Sequence, residues 1–300
     1  MGELKSGFVA VVGRPNVGKS TLVNAMVGTK VAITSNRPQT TRSAIRGIVN
    51  LPDAQIVLID TPGYHKPKTL LGKRLNQVVR AAWADVDLAL FLVDGKSGIG
   101  AGDELVAGEL AAAAGSTPRF CIVNKIDFLN PSLIAATLQR ASEIGDFDEF
   151  VPVSAMHGEG VEVLRNLIVE RLQPGPSFYP EGASSDQPPS AFVAELVREK
   201  LLTRTRDELP HSIAVVTEEY EEREDGLLSI KANIFVERES QKGMVVGKGG
   251  AVIKAAGTEA REELEVLFGR RIFLDLRVKV EKDWQRRAIG LDRMGFNDEL

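Results

Sequence analysis

Residues 13–20 read GRPNVGKS and match the pattern G-x-x-x-x-G-K-[ST]. The stretch follows an apolar run, Phe8–Val12, and precedes a helical pattern, Lys19–Val27. In that context the loop N–H groups wrap a phosphate chain, and the helix N-terminus adds partial positive charge. We expect Lys19 to reach the β- and γ-phosphates and take part in catalysis, and Ser20 to ligate Mg²⁺. Nucleotide contacts are predicted for Gly13, Arg14, Pro15, Asn16, Val17, Gly18, Lys19, Ser20 and Thr21.

Outward from this loop, short apolar runs alternate with helical patterns. The pairs are Phe8–Val12 with Lys19–Val27, Ile56–Ile59 with Leu71–Trp83, Leu88–Val93 with Gly102–Ala113, Phe120–Val123 with Leu133–Ile144, and Phe150–Val153 with Val161–Leu172. Repeated strand–helix units predict an α/β fold, with a mostly parallel sheet and helices on both faces. Ligands of such sheets bind beyond the carboxyl ends of the strands. We assign residues 1–173 to this domain.

Two further segments supply candidates for Mg²⁺ and the γ-phosphate. Asp60 and Gly63 belong to the sequence DTPG, where the aspartate would hold Mg²⁺ through water and the glycine N–H would contact the γ-phosphate in catalysis. Residues 39–42, QTTR, lie in a polar loop, where a threonine can close over Mg²⁺ only when the γ-phosphate is present. We favour Thr41 over Thr40 for this role. The same region adds Thr61, Pro62 and Tyr64 to the predicted nucleotide contacts.

Guanine specificity is predicted from residues 124–127, NKID, which follow the run Phe120–Val123. The carboxylate of Asp127 can accept hydrogen bonds from guanine N1–H and N2–H₂, whereas adenine offers neither donor there. Ser154 and Ala155 follow the next strand, where a backbone N–H can meet guanine O6. The predicted base contacts are Asn124, Lys125, Ile126, Asp127, Ser154 and Ala155.

A proline-rich stretch, residues 174–190, separates this domain from the rest of the chain and has the composition of a linker. Residues 191–285 then show a helical pattern, two strands, a glycine-rich turn, a long helical pattern and a third strand. In the second and third strands, Leu228–Val236 and Ile272–Val280, apolar residues alternate with others, so each of these two strands is predicted to have one buried face. They predict a small α+β domain, followed by a tail at 286–300.

The glycine-rich turn, GKGG at residues 247–250, lies between an apolar entry and a helix. Small residues let a nucleic-acid backbone approach closely, and a lysine can meet a phosphate. A second nucleotide loop is the first alternative, but no Ser or Thr follows the lysine. A simple helix-start turn is the second. The predicted RNA contacts are Val246, Gly247, Lys248, Gly249, Gly250 and Ile253.

The composition of the chain limits which partners and which cellular compartment these predictions allow. The 300 residues carry a net charge of −4, so a nucleic-acid site must be a local patch. A single cysteine, Cys121, permits no internal disulfide and suits a reducing compartment, so we expect a cytoplasmic protein. No apolar run reaches the ~18–20 residues that a membrane helix needs.

In their order and strand-end positions, the motifs GRPNVGKS, QTTR, DTPG, NKID and SA resemble the translation-factor-type GTPases of the TrmE/Era group. Many members of that group carry a hydrophobic residue where signalling GTPases have a water-positioning glutamine. Here the residue is Tyr64, which has no amide. The resemblance therefore implies slow hydrolysis of GTP to GDP that needs a partner or a monovalent cation. It associates Asn16 with K⁺, and the alternative is a plain turn-forming asparagine.

The second domain resembles a type II KH domain, with its order helix, strand, strand, helix, helix, strand around GKGG. Such a domain clamps about four nucleotides of single-stranded RNA. A GTPase of this group fused to a KH domain is similar to bacterial ribosome-assembly members. That resemblance implies binding to the 3′ end of 16S ribosomal RNA, maturation of the 30S small ribosomal subunit, and peripheral association with the inner membrane. We expect a monomer.

Three functions remain open at this point. The first is a GTP-switched RNA-binding assembly enzyme, which we favour. The second is a passive RNA binder with a decayed nucleotide site, against which the intact Lys19, Ser20, Asp60 and Asp127 argue. The third is a membrane-surface signalling GTPase, for which a basic amphipathic stretch is expected. The helical pattern Ala251–Leu267 meets that expectation poorly, because four glutamates offset its basic residues.

Overall fold

The computed structural model describes residues 3–37, 39–205 and 209–296, except for the side chain of residue 114. Part of the predicted tail, residues 297–300, lies outside this range. The chain divides into two compact units, Met1–Pro67 with Gly72–Asp186, and Lys68–Leu71 with Gln187–Leu300. In the part of the chain that is described, no helix has the length and apolarity to cross a bilayer.

The first unit is built on a six-stranded sheet. Its strands are β1 (Lys5–Gly13), β2 (Ile45–Asn50), β3 (Ala54–Asp60), β4 (Leu88–Asp94), β5 (Arg119–Asn124) and β6 (Glu149–Val153). Their order is β2-β3-β1-β4-β5-β6. Only the β2/β3 pair is antiparallel. The loops carrying GRPNVGKS, DTPG, NKID and SA therefore all leave the same, carboxyl edge of the parallel strands.

Helices cover both faces of this sheet. They are α1 (Lys19–Val27), α2 (Leu70–Ala84), α3 (Ala101–Ala114), α4 (Pro131–Ser142) and α5 (Val161–Arg171). One apolar cluster joins the sheet to Leu22 of α1 and Leu164 of α5. The other joins the opposite face to Trp83 of α2, Leu110 of α3 and Ala141 of α4. The predicted doubly covered α/β fold is confirmed.

Strand β2 is the element of the sheet that the sequence pattern missed. It is an edge strand, with Arg46 and Asn50 exposed and Gly47 in its middle. A Cβ on Gly47 would lie 2.8 Å from Val23 Cγ1, so the glycine is needed for close packing on α1. An edge strand with a charged residue and a glycine lacks the continuous apolar run that marks the buried strands.

Residues 174–186, within the predicted linker, lie along the first unit, and we call them the strap. Ile48 N donates to Ser184 O at 2.9 Å, which pairs the strap with the open edge of β2. Arg46 forms an ion pair with Asp186 at 2.8 Å at the end of the strap. The free edge of β2 needs backbone partners, and the strap supplies them despite its linker-like composition.

The second unit is a small α+β fold, as predicted. It contains α6 (Pro189–Arg204), α7 (Leu209–Ser212), β7 (Ala214–Glu222), β8 (Leu228–Val236), α8 (Glu239–Val246), α9 (Ala251–Phe268), β9 (Ile272–Val280) and α10 (Ala288–Arg293). The sheet order is β7-β8-β9, with β7/β8 antiparallel and β8/β9 parallel. Ile230 and Ile234 of β8 pack with α6 and α9 in the core, which confirms the predicted buried face. The helices α7 and α10, of 4 and 6 residues, are too short to show a period and were not predicted.

Candidate functional site

The loop between β1 and α1 needs glycine at two points. Gly13 has φ +153°, and a Cβ there would lie 2.6 Å from Leu92 O. Gly18 has φ +101°, and a Cβ there would collide with Asn124 Nδ2. Helix α1 begins at Lys19, and its first backbone N–H groups, which lack partners within the helix, point towards this loop. The geometry is that of an anion-binding site.

Lys19 is folded back onto this loop. Its Nζ donates to Gly13 O at 3.2 Å and to Arg14 O at 3.0 Å. Burial lowers the pKa of Lys19 to about 8, with the nearby Asp60 carboxylate acting in the opposite direction. A phosphate oxygen in the loop would give this ammonium a far stronger acceptor than two neutral carbonyls.

Three oxygen-bearing side chains meet beside Lys19. Ser20 Oγ donates to Asp60 Oδ2 at 2.6 Å and lies 2.9 Å from Thr41 Oγ1. Asp60 is fully buried, and burial raises its pKa to about 6. Its second oxygen, Oδ1, has no hydrogen-bond partner among the described residues. A buried, unpartnered carboxylate oxygen beside two hydroxyls is the hard donor set that Mg²⁺ takes.

The structure separates the two neighbouring threonines of the loop at residues 39–42. Thr41 Oγ1 lies 3.4 Å from Asp60 Oδ2, within the cluster around Ser20. Thr40 Oγ1 instead donates to Arg37 O at 2.6 Å and contacts Ser35. The geometry therefore supports the preference for Thr41.

Gly63 and Tyr64 take different directions after β3. A Cβ on Gly63 would lie 2.6 Å from Pro15 N, so this glycine rests on the phosphate loop. The side chain of Tyr64 turns into the core against Trp83, with 5.4 Å between ring centroids. Its hydroxyl accepts a hydrogen bond from Arg80 at 2.9 Å. The phenol ring of Tyr64 therefore packs in the core. The sequence pattern predicted Tyr64 as a nucleotide contact.

The segments that are predicted to bind the base are joined to one another by side-chain hydrogen bonds between loops. Asn124 Nδ2 donates to Val17 O at 2.8 Å, and Asn124 Oδ1 accepts from Ala155 N at 3.0 Å. Ser154 Oγ donates to Asp127 Oδ1 at 2.7 Å. The Asp127 carboxylate is therefore oriented by its neighbour while staying partly open, with 19% of its side chain exposed.

Several predicted contacts can offer only backbone atoms. The side chains of Val17, Ile126 and Ala155 pack in the apolar clusters. Thr61 is buried and its hydroxyl donates to Val11 O at 2.8 Å. Pro62 is also buried, and Thr21 is half-buried in the first turn of α1.

Sequence reasoning missed two aspartates, Asp94 and Asp103, whose carboxylates bind basic side chains of the motif loops. Lys125 Nζ donates to Asn16 O and to Asp94 Oδ2, both at 2.7 Å. Asp103, buried at the start of α3, accepts from Arg14 Nε at 2.7 Å. Asp94 ends β4 on the same edge as the motifs, and that position is the signal that could have found it. No sequence pattern around Asp103 predicts its contact with Arg14.

The GKGG turn joins α8 to α9. Gly247 has φ +74°, and a Cβ there would lie 2.6 Å from Val252 Cγ2. Gly249 and Gly250 have φ +60° and +80° and face open space. Lys248 is exposed beside them, whereas Val246 and Ile253 are half-buried. The turn thus presents bare backbone and one cation to solvent.

Comparison with known proteins places both units. The family described as 50S ribosome-binding GTPase matches residues 8–125, and the KH domain family matches residues 208–285. GTPase Era of Mycolicibacterium smegmatis is 51% identical over 299 residues, covering 99% of this chain and 100% of that protein. This chain belongs to the Era family of GTPases. Era of Streptomyces coelicolor is 50% identical, covering 97% and 95% of the two chains.

Solved structures of Era match over nearly the whole chain. Era in complex with MgGDPNP and nucleotides 1506–1542 of 16S ribosomal RNA gives a TM-score of 0.93 at 36% identity, covering 98% of this chain and 99% of that one. A variant of Aquifex aeolicus Era bound to GDP and AlF₄⁻ gives 0.91 at 37% identity, covering 98% and 100%. The membership confirms the predicted enzyme class, a GTPase.

Proposed function

We propose that this Era-family GTPase binds GTP and GDP with Mg²⁺ in its first unit, binds the 3′ end of 16S ribosomal RNA with its second, and assists maturation of the 30S subunit. The observation that carries the proposal is the full-length likeness to Era in complex with MgGDPNP and 16S nucleotides 1506–1542. The convergence of the motif loops at one sheet edge supports it, as does the open GKGG turn.

In this proposal Lys19 and the N–H groups of the loop before α1 hold the phosphates. Ser20, Thr41 and Asp60 hold Mg²⁺, the aspartate through water. When bound, the metal neutralises charge on the β- and γ-phosphate oxygens. Thr41 belongs to a loop segment, so its position can depend on whether the γ-phosphate is present. The Gly63 N–H is assigned to that same phosphate.

Hydrolysis is proposed to be slow in Na⁺ and faster in K⁺. Tyr64 is buried and cannot orient water. Asn16 Nδ2 donates to Asn36 O at 2.9 Å, which brings two oxygen-bearing groups of the kind that K⁺ binds next to the loop. A cation there would offset charge that develops on the transferred phosphate. Single-turnover GTP hydrolysis in matched K⁺ and Na⁺, for the native protein and Asn16→Ala, measures the effect.

Equal rates in the two salts would contradict the potassium role and point to a protein or RNA activator. The left-handed backbone of Asn16, φ +66°, is what the plain turn-forming alternative requires. Under that alternative Asn16→Ala alters affinity without altering the ratio of the rates in K⁺ and Na⁺.

RNA binding is expected to be stronger with a non-hydrolysable GTP analogue than with GDP. We expect GTP to favour the RNA-competent state of the protein, and the alternative is a flexible tether that leaves the two units uncoupled. Linkage then requires RNA to strengthen GTP-analogue binding by the same factor. The test is the affinity for a single-stranded 3′-terminal 16S fragment in each nucleotide state, with a scrambled RNA as control. Identical affinities would refute coupling, and no preference over the scrambled RNA would refute the assigned RNA.

Cytoplasmic residence, the monomeric state and peripheral attachment to the membrane stay predictions. The basic residue Arg261 of α9 is paired with Glu265 at 2.7 Å, so this helix does not present a free basic face there. Electrostatic attachment would need such a face.

A further inference from the structure

One contact joins the two loops that flank the proposed γ-phosphate position. The side-chain amide of Gln39 donates from Nε2 to His65 Nε2 at 2.9 Å. His65 Nδ1 lies 2.9 Å from Gly63 O. Gln39 precedes Thr41 by two residues, and His65 follows Gly63 by two. The imidazole therefore connects the threonine loop to the glycine that rests on the phosphate loop.

The partners determine where the imidazole carries its proton. A backbone carbonyl only accepts, so Nδ1 of His65 must donate to Gly63 O. The Gln39 amide nitrogen only donates, so Nε2 of His65 must accept. Both bonds are satisfied by a single neutral tautomer, and each bond orients the ring for the other.

Both ends of this connection are held in place. Asn76 Nδ2 of α2 donates to His65 O at 2.8 Å, which anchors the backbone of the histidine. Gln39 has φ +60°, a conformation that residues other than glycine rarely adopt. Such a backbone persists only where surrounding contacts impose it, and it is frequent at functional sites. The side chains of Gln39 and His65 are both half-buried.

We propose that His65 and Gln39 are a positioning pair for GTP hydrolysis: His65 holds Gly63, and through Gln39 it holds the loop of Thr41 over the same phosphate. The proposal rests on the proposed nucleotide site. The pair orders the two loops around the phosphate, which is a different role from the orientation of water by a glutamine. The proposal places neither residue against the guanine base or the β-phosphate, so the pair is expected to act on the chemical step and to leave GDP affinity unchanged.

The test is a double-mutant cycle on single-turnover GTP hydrolysis, with GDP affinity and thermal unfolding measured alongside. Gln39→Ala and His65→Ala are each expected to lower the rate about 10- to 100-fold, the range for loss of positioning. Because the two side chains act through one bond, the double variant should lose no more than the worse single variant. GDP affinity should match that of the native protein, and so should the rate of Lys66→Ala, an exposed neighbour.

His65→Asn separates the two bonds, because its amide can replace the Nδ1 donor but has no atom at the Nε2 position. We expect its rate to equal that of Gln39→Ala, with no further loss when the two changes are combined. Native rates in the single variants, or losses that multiply in the double variant, would overturn the positioning pair. A fall in GDP affinity together with unfolding temperature would overturn it in favour of a merely structural contact. Native GTP affinity in Lys19→Ala would instead refute the nucleotide site itself.

Discussion

Asp127→Asn is expected to weaken GTP binding by about 100-fold or more and to make the protein prefer xanthine nucleotides. The carboxylate can accept from two donors of guanine, and Ser154 holds it in place at 2.7 Å. The asparagine puts an N–H₂ donor opposite the 2-amino group of guanine, so these two facing donors have no acceptor, while the remaining carbonyl oxygen can still accept from N1–H. Mismatches of buried hydrogen-bonding groups cost several powers of ten in specificity. Xanthine has a carbonyl oxygen at that position, which the new donor can use.

Titration with GDP and xanthosine diphosphate measures this exchange. Asp146→Asn, on an exposed loop of the same unit, is the matched control and should leave both affinities unchanged. Lys19→Ala should lower both together, because it removes a phosphate contact and leaves the base contacts alone. Native GDP affinity in Asp127→Asn would contradict the assignment of the base site.

Gly249→Asp is expected to lower RNA affinity by about 100-fold or more while GTP affinity stays native. Juxtaposing like charges costs several kcal/mol, which corresponds to about 100-fold or more. Apart from its two chain neighbours, no described residue comes within 4 Å of a Cβ at this position, and φ is +60°. Asp and Asn tolerate that backbone better than other residues with a Cβ. The added carboxylate therefore faces open space rather than the protein core, on the side where the proposal places the RNA backbone.

Gly249→Asn tests whether the charge or the size of the new side chain lowers RNA affinity. Asn has about the size of Asp and needs the same backbone conformation, but it carries no charge. We expect its RNA affinity to lie between those of Gly249→Asp and the native protein. Lys248→Ala should be milder and reduce the salt slope of binding by about 0.7, the value for one phosphate contact on a single strand. Binding of the 16S fragment that survives Gly249→Asp would refute the RNA site at GKGG.

The motif loops could be predicted because each is a short-range feature. GRPNVGKS, DTPG and NKID each follow an apolar strand directly, and parallel strands bring their carboxyl ends to one edge. The role of Thr41 against Thr40 could not be decided in this way. It depends on which hydroxyl reaches Asp60, and adjacent side chains in an irregular loop have no fixed direction.

The strap and Asp103 show the same limit over longer distances. A proline-rich composition predicts a linker, yet the edge of β2 offers unpaired backbone groups that this segment satisfies. The bond between Arg14 and Asp103 joins residues that are 89 positions apart. Neither residue carries a local pattern that names its partner.

The sequence by itself determined the α/β and α+β units, the order of the nucleotide motifs and the glycine turn at 247–250, and it predicted Asp127 as the carboxylate that recognises guanine. These follow from local spacing and residue type, which act over a few positions. Only the tertiary structure decided that Tyr64 belongs to the core, that the strap closes β2, and that His65 joins Gln39 to Gly63. Those outcomes depend on which loops the sheet order brings together and on how their side chains pack there.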